Sequence, residues 1–211
     1  MKSTEFLNVF EEKGIHTFSF NDAVRISGKK RPYVRLMLNR MVSKNIIQRA
    51  ERGIYYTKKA SPLEIASNIV SPSYVSLGSA FSYYGVTTQI PINIDIVSSK
   101  RHKKIDLRGP RQNRIIFSTL KREKMFGFYR DRGNINIAEI EKALVDAIYF
   151  KKPGLGQISE AVGVALRERK VSLAKIKEYA HDMGSKATIK RLNLILKNLG
   201  ANKWAFSITD E

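Results

Sequence analysis

The sequence predicts an α+β chain in two parts, residues 1–60 and residues 61–211. Three observations predict it. Residues 1–60 run as helix, short helix, glycine turn, longer helix and two short strands. The next stretch mixes helical and strand-like segments. From Ile137 onward the apolar residues recur at helical spacing. Hydrophobic residues make up 43% of the 211 positions, enough for a core, so whole-chain disorder is excluded.

Taken in order, Thr4 caps a helix over 4–13 with Phe6, Leu7 and Phe10 on one face, and Gly14 stops it. Phe18, Ser19 and Phe20 form a short extended piece. Asn21 or Ser19 caps a brief helix over 22–26, and Ser27, Gly28, Lys29 and Lys30 make the turn. Pro32 fits the first turn of a longer helix reaching about Lys44, with Val34, Leu38, Met41 and Val42 as its apolar stripe. Strands over 46–49 and 54–56 flank a turn. This is the order of a winged helix-turn-helix, whose second helix enters a DNA major groove.

Lys58, Lys59, Ala60, Ser61 and Pro62 mark the boundary, where Pro62 opens the next helix. Leu77, Ala80, Phe81 and Tyr84 mark a helix ending at Gly85. Ile92, Ile94 and Ile96 alternate as a half-buried strand, and 115–117 and 126–129 read as further strands. Helices follow over 138–150, 158–169, 173–183 and 187–198, with a last short strand over 204–206. Gly154, Leu155 and Gly156 read as a helix-breaking linker. The second part is thus a mixed α+β domain with a helical C-terminal portion.

The chain carries 38 Lys+Arg against 19 Asp+Glu, a formal net charge of +19. The excess is +8 in residues 1–60, +7 in 61–135 and +4 in 136–211, so it is spread over folded segments, with no basic tail. Charge of this size and sign points to a polyanion. No apolar run approaches the ~20 residues of a membrane span. The N-terminus lacks the apolar core of a signal peptide, so a cytoplasmic protein with no membrane partner is expected. The absence of cysteine excludes a disulfide framework, a thiolate zinc site, an iron–sulfur cluster and a cysteine nucleophile. His16, His102 and His181 share no i, i+4 spacing, so neither a metal nor another cofactor is expected.

Two groups of cations are candidate binding residues. Lys29, Lys30, Arg31, Tyr33, Arg35 and Arg40 sit on the turn and the polar faces of the longer helix; Arg49 and Arg52 sit on the hairpin. Cations in a row suit phosphates, while an arginine fork can bond two acceptors of guanine, and Arg31 and Arg35 share a face at i, i+4. The second group is Lys100, Arg101, His102, Lys103, Lys104, Arg108, Arg111 and Arg114, expected in a loop marked by Gly109 and Pro110. It is either a solvated loop or an extension of the footprint.

Enzymatic chemistry finds less support. A nucleotidyltransferase of the polymerase-beta type places Gly-Ser at a helix start and two carboxylates on the following strand. Here Gly78 and Ser79 open a helix and Asp95 lies on the strand, but Val97 fills the second position, and one carboxylate cannot clamp two metal ions. No serine elbow or phosphate-binding glycine loop is present. Glu139 and Lys142, at i, i+3, read as a local helix pair.

Tyr74 to Thr87, with Ser76-Leu77-Gly78-Ser79-Ala80-Phe81 at its centre, resembles the S-L-x-S-A-L-x-Y-x-G-L signature of AbiEi-type antitoxins. Ala138-Glu139-Ile140-Glu141-Lys142-Ala143-Leu144-Val145-Asp146 is similar to that family's A-x-x-E-K-A-L-L-D helix. Arg191-Leu192-Asn193-Leu194-Ile195-Leu196 is similar to its R-L-G-Y-L-L segment, and Gly53-Ile54-Tyr55 to its R-G-x-Y hairpin. Phe81 replaces a usual Leu, and Asn193 a usual Gly.

The resemblance implies a non-catalytic antitoxin of a type IV toxin–antitoxin pair, a repressor that binds double-stranded operator DNA and autoregulates its promoter. It also implies a cognate toxin resembling a nucleotidyltransferase. Two alternatives stand beside it. An RNA-binding protein would use the same charge but present exposed aromatics for base stacking. A degenerate nucleotidyltransferase would need a second carboxylate beside Asp95.

Overall fold

A computed structural model describes residues 3–107 and 114–200. The first part comprises α1 (Ser3–Glu12), β1 (Thr17–Ser19), α2 (Phe20–Ser27), α3 (Arg31–Ser43), β2 (Ile47–Glu51) and β3 (Ile54–Thr57). Helix α1 is already under way at Ser3, so Thr4 lies inside it and is not its cap. At α2 the cap is Ser19: its hydroxyl accepts from the Asp22 N–H, and its own N–H donates to the Asp22 carboxylate, both at 3.1 Å. Phe20 therefore begins the helix instead of extending the strand. Gly28 closes α2 at φ 62°, a conformation open to glycine at no steric cost. Helix α3 buries Val34, Met37, Leu38 and Met41, so Met37 takes the place expected for Val42.

The expected hairpin gains a third strand. β3 pairs with β2 on one side and with β1 on the other, both antiparallel. A bulge between Arg49 and Glu51 bends β2. Phe6, Phe10 and Phe18 form a ring cluster with centroids 4.3 to 5.8 Å apart beneath this sheet, and α3 closes over it.

The second part follows as α4 (Pro62–Ser67), β4 (Ser73–Val75), α5 (Leu77–Tyr84), β5 (Asn93–Ser98), β6 (Ile105–Asp106), β7 (Arg114–Thr119), β8 (Phe128–Asp131), β9 (Ile135–Ala138) and helices α6 (Ile140–Phe150), α7 (Leu155–Arg167), α8 (Leu173–Asp182) and α9 (Lys186–Asn198). The chain is thus α+β. Its second sheet has six strands in the order β6-β7-β5-β4-β9-β8 and is mixed: β4 runs parallel to β9, and β5 parallel to β7.

Several expectations shift here. Ile92 lies outside β5 and is 85% exposed. Strand β5 alternates part-buried and buried from Asn93 to Ile96, as expected, and is buried on both faces only at Val97 and Ser98. Phe126 and Gly127 precede β8. Residues 135–138 form β9, where a helical pattern was expected from Ile137; alternation over four residues merges with the apolar run of the helix behind it. Helix α7 starts at Leu155, with Gly154 as its cap and Gly156 in its first turn, so the expected linker is a helix start. The strand expected over 204–206 lies outside the described residues.

The period of two along the strands divides the core. Ile94, Ile96, Val75 and Ile137 face α4, where Tyr56 of the first sheet joins them. Tyr74, Val97 and Ala138 face the five helices α5 to α9. Helix α6 runs through the middle of that bundle, buried from Ile140 to Ile148. It carries a fully buried ion pair between Lys142 and Asp146. The Asp146 carboxylate also accepts from the hydroxyls of Tyr74 at 3.0 Å and Ser76 at 2.9 Å. The Lys142 ammonium lies 4.7 Å from the Phe126 ring centroid. Burial lowers the Lys142 amine and raises the Asp146 carboxyl from their ordinary values, and each charge offsets the other's penalty. The Glu139–Lys142 pair is therefore not formed. Glu139 instead meets Tyr179 and, at 2.9 Å, Lys175 on α8.

Candidate nucleic-acid interface

What α3 exposes follows from what it buries. At 100° per residue, the stripe opposite Val34, Leu38 and Met41 is Pro32, Leu36, Asn39 and Ser43. All four are exposed, Leu36 by 50%. Arg31 and Arg35 run down one flank of that stripe; Tyr33 and Arg40 run down the other. Arg31 and Arg35 thus share a face, as their spacing implied, but the face turns toward α2. Their guanidinium carbons lie 4.9 and 5.9 Å from the Phe20 ring centroid, and Arg31 donates to Asn21 Oδ1 at 3.1 Å. Such contacts are worth only ~0.5–1 kcal/mol each at an exposed site, enough to bias a rotamer.

Across from them stand Arg49 and Arg52 of the hairpin. Between hairpin and helix lies a groove of about 690 Å³, lined by Phe20, Asn21, Arg31, Arg35, Asn39, Arg49, Arg52 and Tyr55 among others. Its described lining holds four arginines and no carboxylate. At the head of α3, Lys29, Lys30 and Arg31 gather at the positive end of the helix dipole, with no acidic residue in the first turn. Cations at that end oppose helix stability. An anion there would be favoured by both the dipole and the side chains.

The second basic group lies beside the hairpin. Lys100, Arg101, Lys103 and Lys104 are exposed on the segment joining β5 to β6. That segment is tied to β2 by His102, whose Nε2 lies 3.1 Å from Glu51 Oε2 and whose ring packs on Phe117 at 4.7 Å. Leu107 is buried in the cluster that holds Tyr56 of β3. Arg114 pairs with Asp106 at 2.6 Å. Arg108 and Arg111 lie outside the described residues.

Phe20, Leu36 and Asn39 carry no charge, so the pattern of cations along the chain does not point to them. The signal for the last two was available in the i, i+4, i+7 spacing of Pro32, Leu36 and Asn39, opposite the apolar stripe.

A second cleft, of about 380 Å³, holds Asp95 with Gly78, Phe81, Ile92, Ile116, Lys152 and Gln157 in its wall. Asp95 is its one carboxylate among the described lining, and Val97 is buried in the core. Ser76, the residue before α5, spends its hydroxyl on Asp146. The Ser79 hydroxyl accepts from the Asp95 N–H at 2.8 Å, and the Ser79 backbone favours the charged form of the Asp95 carboxyl. Burial pushes the Asp95 carboxyl up to about 6, against the opposing pull of Lys152. Among the described residues, no group of three or more His, Asp or Glu side chains could hold a metal ion, and no helix is long and apolar enough to cross a membrane.

No protein-family model matches the chain, and no curated protein matches it.

Proposed function

We propose that the chain is a sequence-specific, DNA-binding transcriptional repressor working through a winged helix-turn-helix in residues 1–60. The observation that carries this is the groove between α3 and the hairpin, where four arginines from two elements converge without a carboxylate among the described lining. Four like charges facing one space raise its potential and call for a polyanion. Helix, short helix, glycine turn, longer helix and hairpin is the order of the motif. The lysines at the head of α3 are placed for phosphate, and Lys100, Arg101, Lys103 and Lys104 extend the basic surface past the hairpin.

The role as antitoxin of a type IV pair, autoregulating its promoter and opposing a nucleotidyltransferase-like toxin, rests on the resemblance to AbiEi-type antitoxins. What supports it is that two of the similar segments meet: Tyr74 and Ser76 of the first bond Asp146 of the second.

Fluorescence anisotropy with the duplex lying upstream of the chain's own coding sequence, an unrelated duplex and the matching RNA tests the binding. The upstream duplex should bind tightest. Lys29→Ala or Lys30→Ala should weaken all duplexes alike. Either change should also flatten the plot of log affinity against log salt by about 0.9, the slope that one neutralised phosphate supplies. Tighter binding of RNA, or binding insensitive to salt, would reject the DNA reading. Co-expression with a neighbouring nucleotidyltransferase-like gene tests the antitoxin role: growth arrest that the chain does not relieve counts against it.

A further inference from the structure

We infer that Leu36 and Asn39 read adjacent A·T base pairs at the floor of the major groove, while the arginines beside them hold its phosphate walls. This rests on the DNA-binding reading above. Helix α3 divides its exposed surface into three strips. The outermost carries Pro32, Leu36, Asn39 and Ser43 and no cation; Arg31 and Arg35 lie on one side of it, Arg40 on the other. A major groove ~12 Å wide admits one helix, so the strip farthest from the buried side meets base edges and the flanks meet phosphate. Arg31 and Arg35 are drawn sideways over Phe20, toward the hairpin arginines.

The chemistry of the central strip then selects the bases. Among the described residues nothing bonds the Asn39 amide, which keeps one acceptor and two donors in reserve. An amide presented in this way matches adenine, whose N7 accepts and whose N6 donates in the major groove. Leu36, one turn earlier on the same strip and half exposed, offers an apolar surface suited to the thymine methyl. Three residues of helix rise about 4.5 Å, close to the ~3.4 Å base step, so the two side chains fall on neighbouring pairs.

Selection of bound sites from a random duplex library with the full chain tests this. The selected sites should share adjacent A·T pairs, and exchanging the pair facing Asn39 for G·C should weaken binding about 5- to 150-fold. Replacing the facing thymine by uracil deletes one methyl and should cost about 4-fold. In Asn39→Ala the penalty for G·C should disappear, and in Leu36→Ala the penalty for uracil should disappear. If the wild-type chain selects a site but both variants keep its base preferences, the inference fails while the DNA-binding reading stands. A chain that binds no duplex overturns both.

Discussion

Asp95 is a carboxyl whose burial and whose job conflict. The Ser79 backbone at the start of α5 favours its charged form, yet the cleft around it disfavours charge and pushes it up to about 6. An unfolded aspartate titrates near ~3.9. The native state therefore holds an extra proton between about pH 4 and 6, and stability falls as pH rises through that window. Above it the full penalty is present. Asp95→Asn keeps an acceptor for Ser79 without the charge. It should raise stability at pH 7.5 by on the order of 1–3 kcal/mol, change little at pH 4, and flatten the slope between. Urea denaturation at the two pH values measures this. An asparagine variant less stable than wild type at pH 7.5 would mean the charge itself stabilises the start of α5. Duplex affinity should not change, because the Asp95 cleft and the arginine groove share no lining residue.

Between elements, Glu64 joins the two parts of the chain. It sits in the first turn of α4, under the Ser61 cap, and is 1% exposed. Its Oε1 accepts from the backbone N–H groups of His16 at 2.7 Å and Thr17 at 2.8 Å, at the entry to β1. These are donors that the ladder to β3 does not use. Glu64→Ala strands both, at a cost of about 2–4 kcal/mol. Glu64→Gln retains an acceptor oxygen and should cost less than half as much. Equal losses in the two variants, read from urea midpoints at constant m, would place the effect in packing instead of in these bonds. The same clamp holds the hairpin sheet against α4, so damage here should also loosen the surface that carries Arg49 and Arg52.

For the whole molecule, one apolar cluster spans the boundary expected near Lys58. Strand β3 ends at Thr57 and α4 begins at Pro62. Tyr56, Ile54 and Ala50 nevertheless pack into the cluster of Ile65, Ile96 and Leu107, while Phe6, Phe10 and Leu38 form a separate one. A shared cluster couples the stabilities of what it joins. Amides of β3 and of β5 should therefore lose hydrogen-exchange protection together as urea rises. Loss in β1 to β3 at clearly lower urea would show two independently folding units. The coupling also bears on binding. Residues 100–107 lean on the hairpin through His102 and Leu107, which ties Lys100, Arg101, Lys103 and Lys104 to the sheet that carries Arg49.

The order of amino acids was enough for the α+β class, most of the helices and the position of the basic residues, because helical period, glycine stops and proline starts are local. Gly28, Gly85 and Pro62 mark ends that the structure keeps. It did not determine β4, β6 or β9, since strands of two to four residues carry too little periodicity to separate from their neighbours. Nor could spacing show that Lys142 pairs with Asp146 instead of Glu139, because i+3 and i+4 partners are equivalent until burial chooses between them. The arginines of α3 were legible as cations. The outward strip follows from the helical period, but where the flanking arginines turn was decided only by the packing of α2, with Phe20 beneath Arg31 and Arg35.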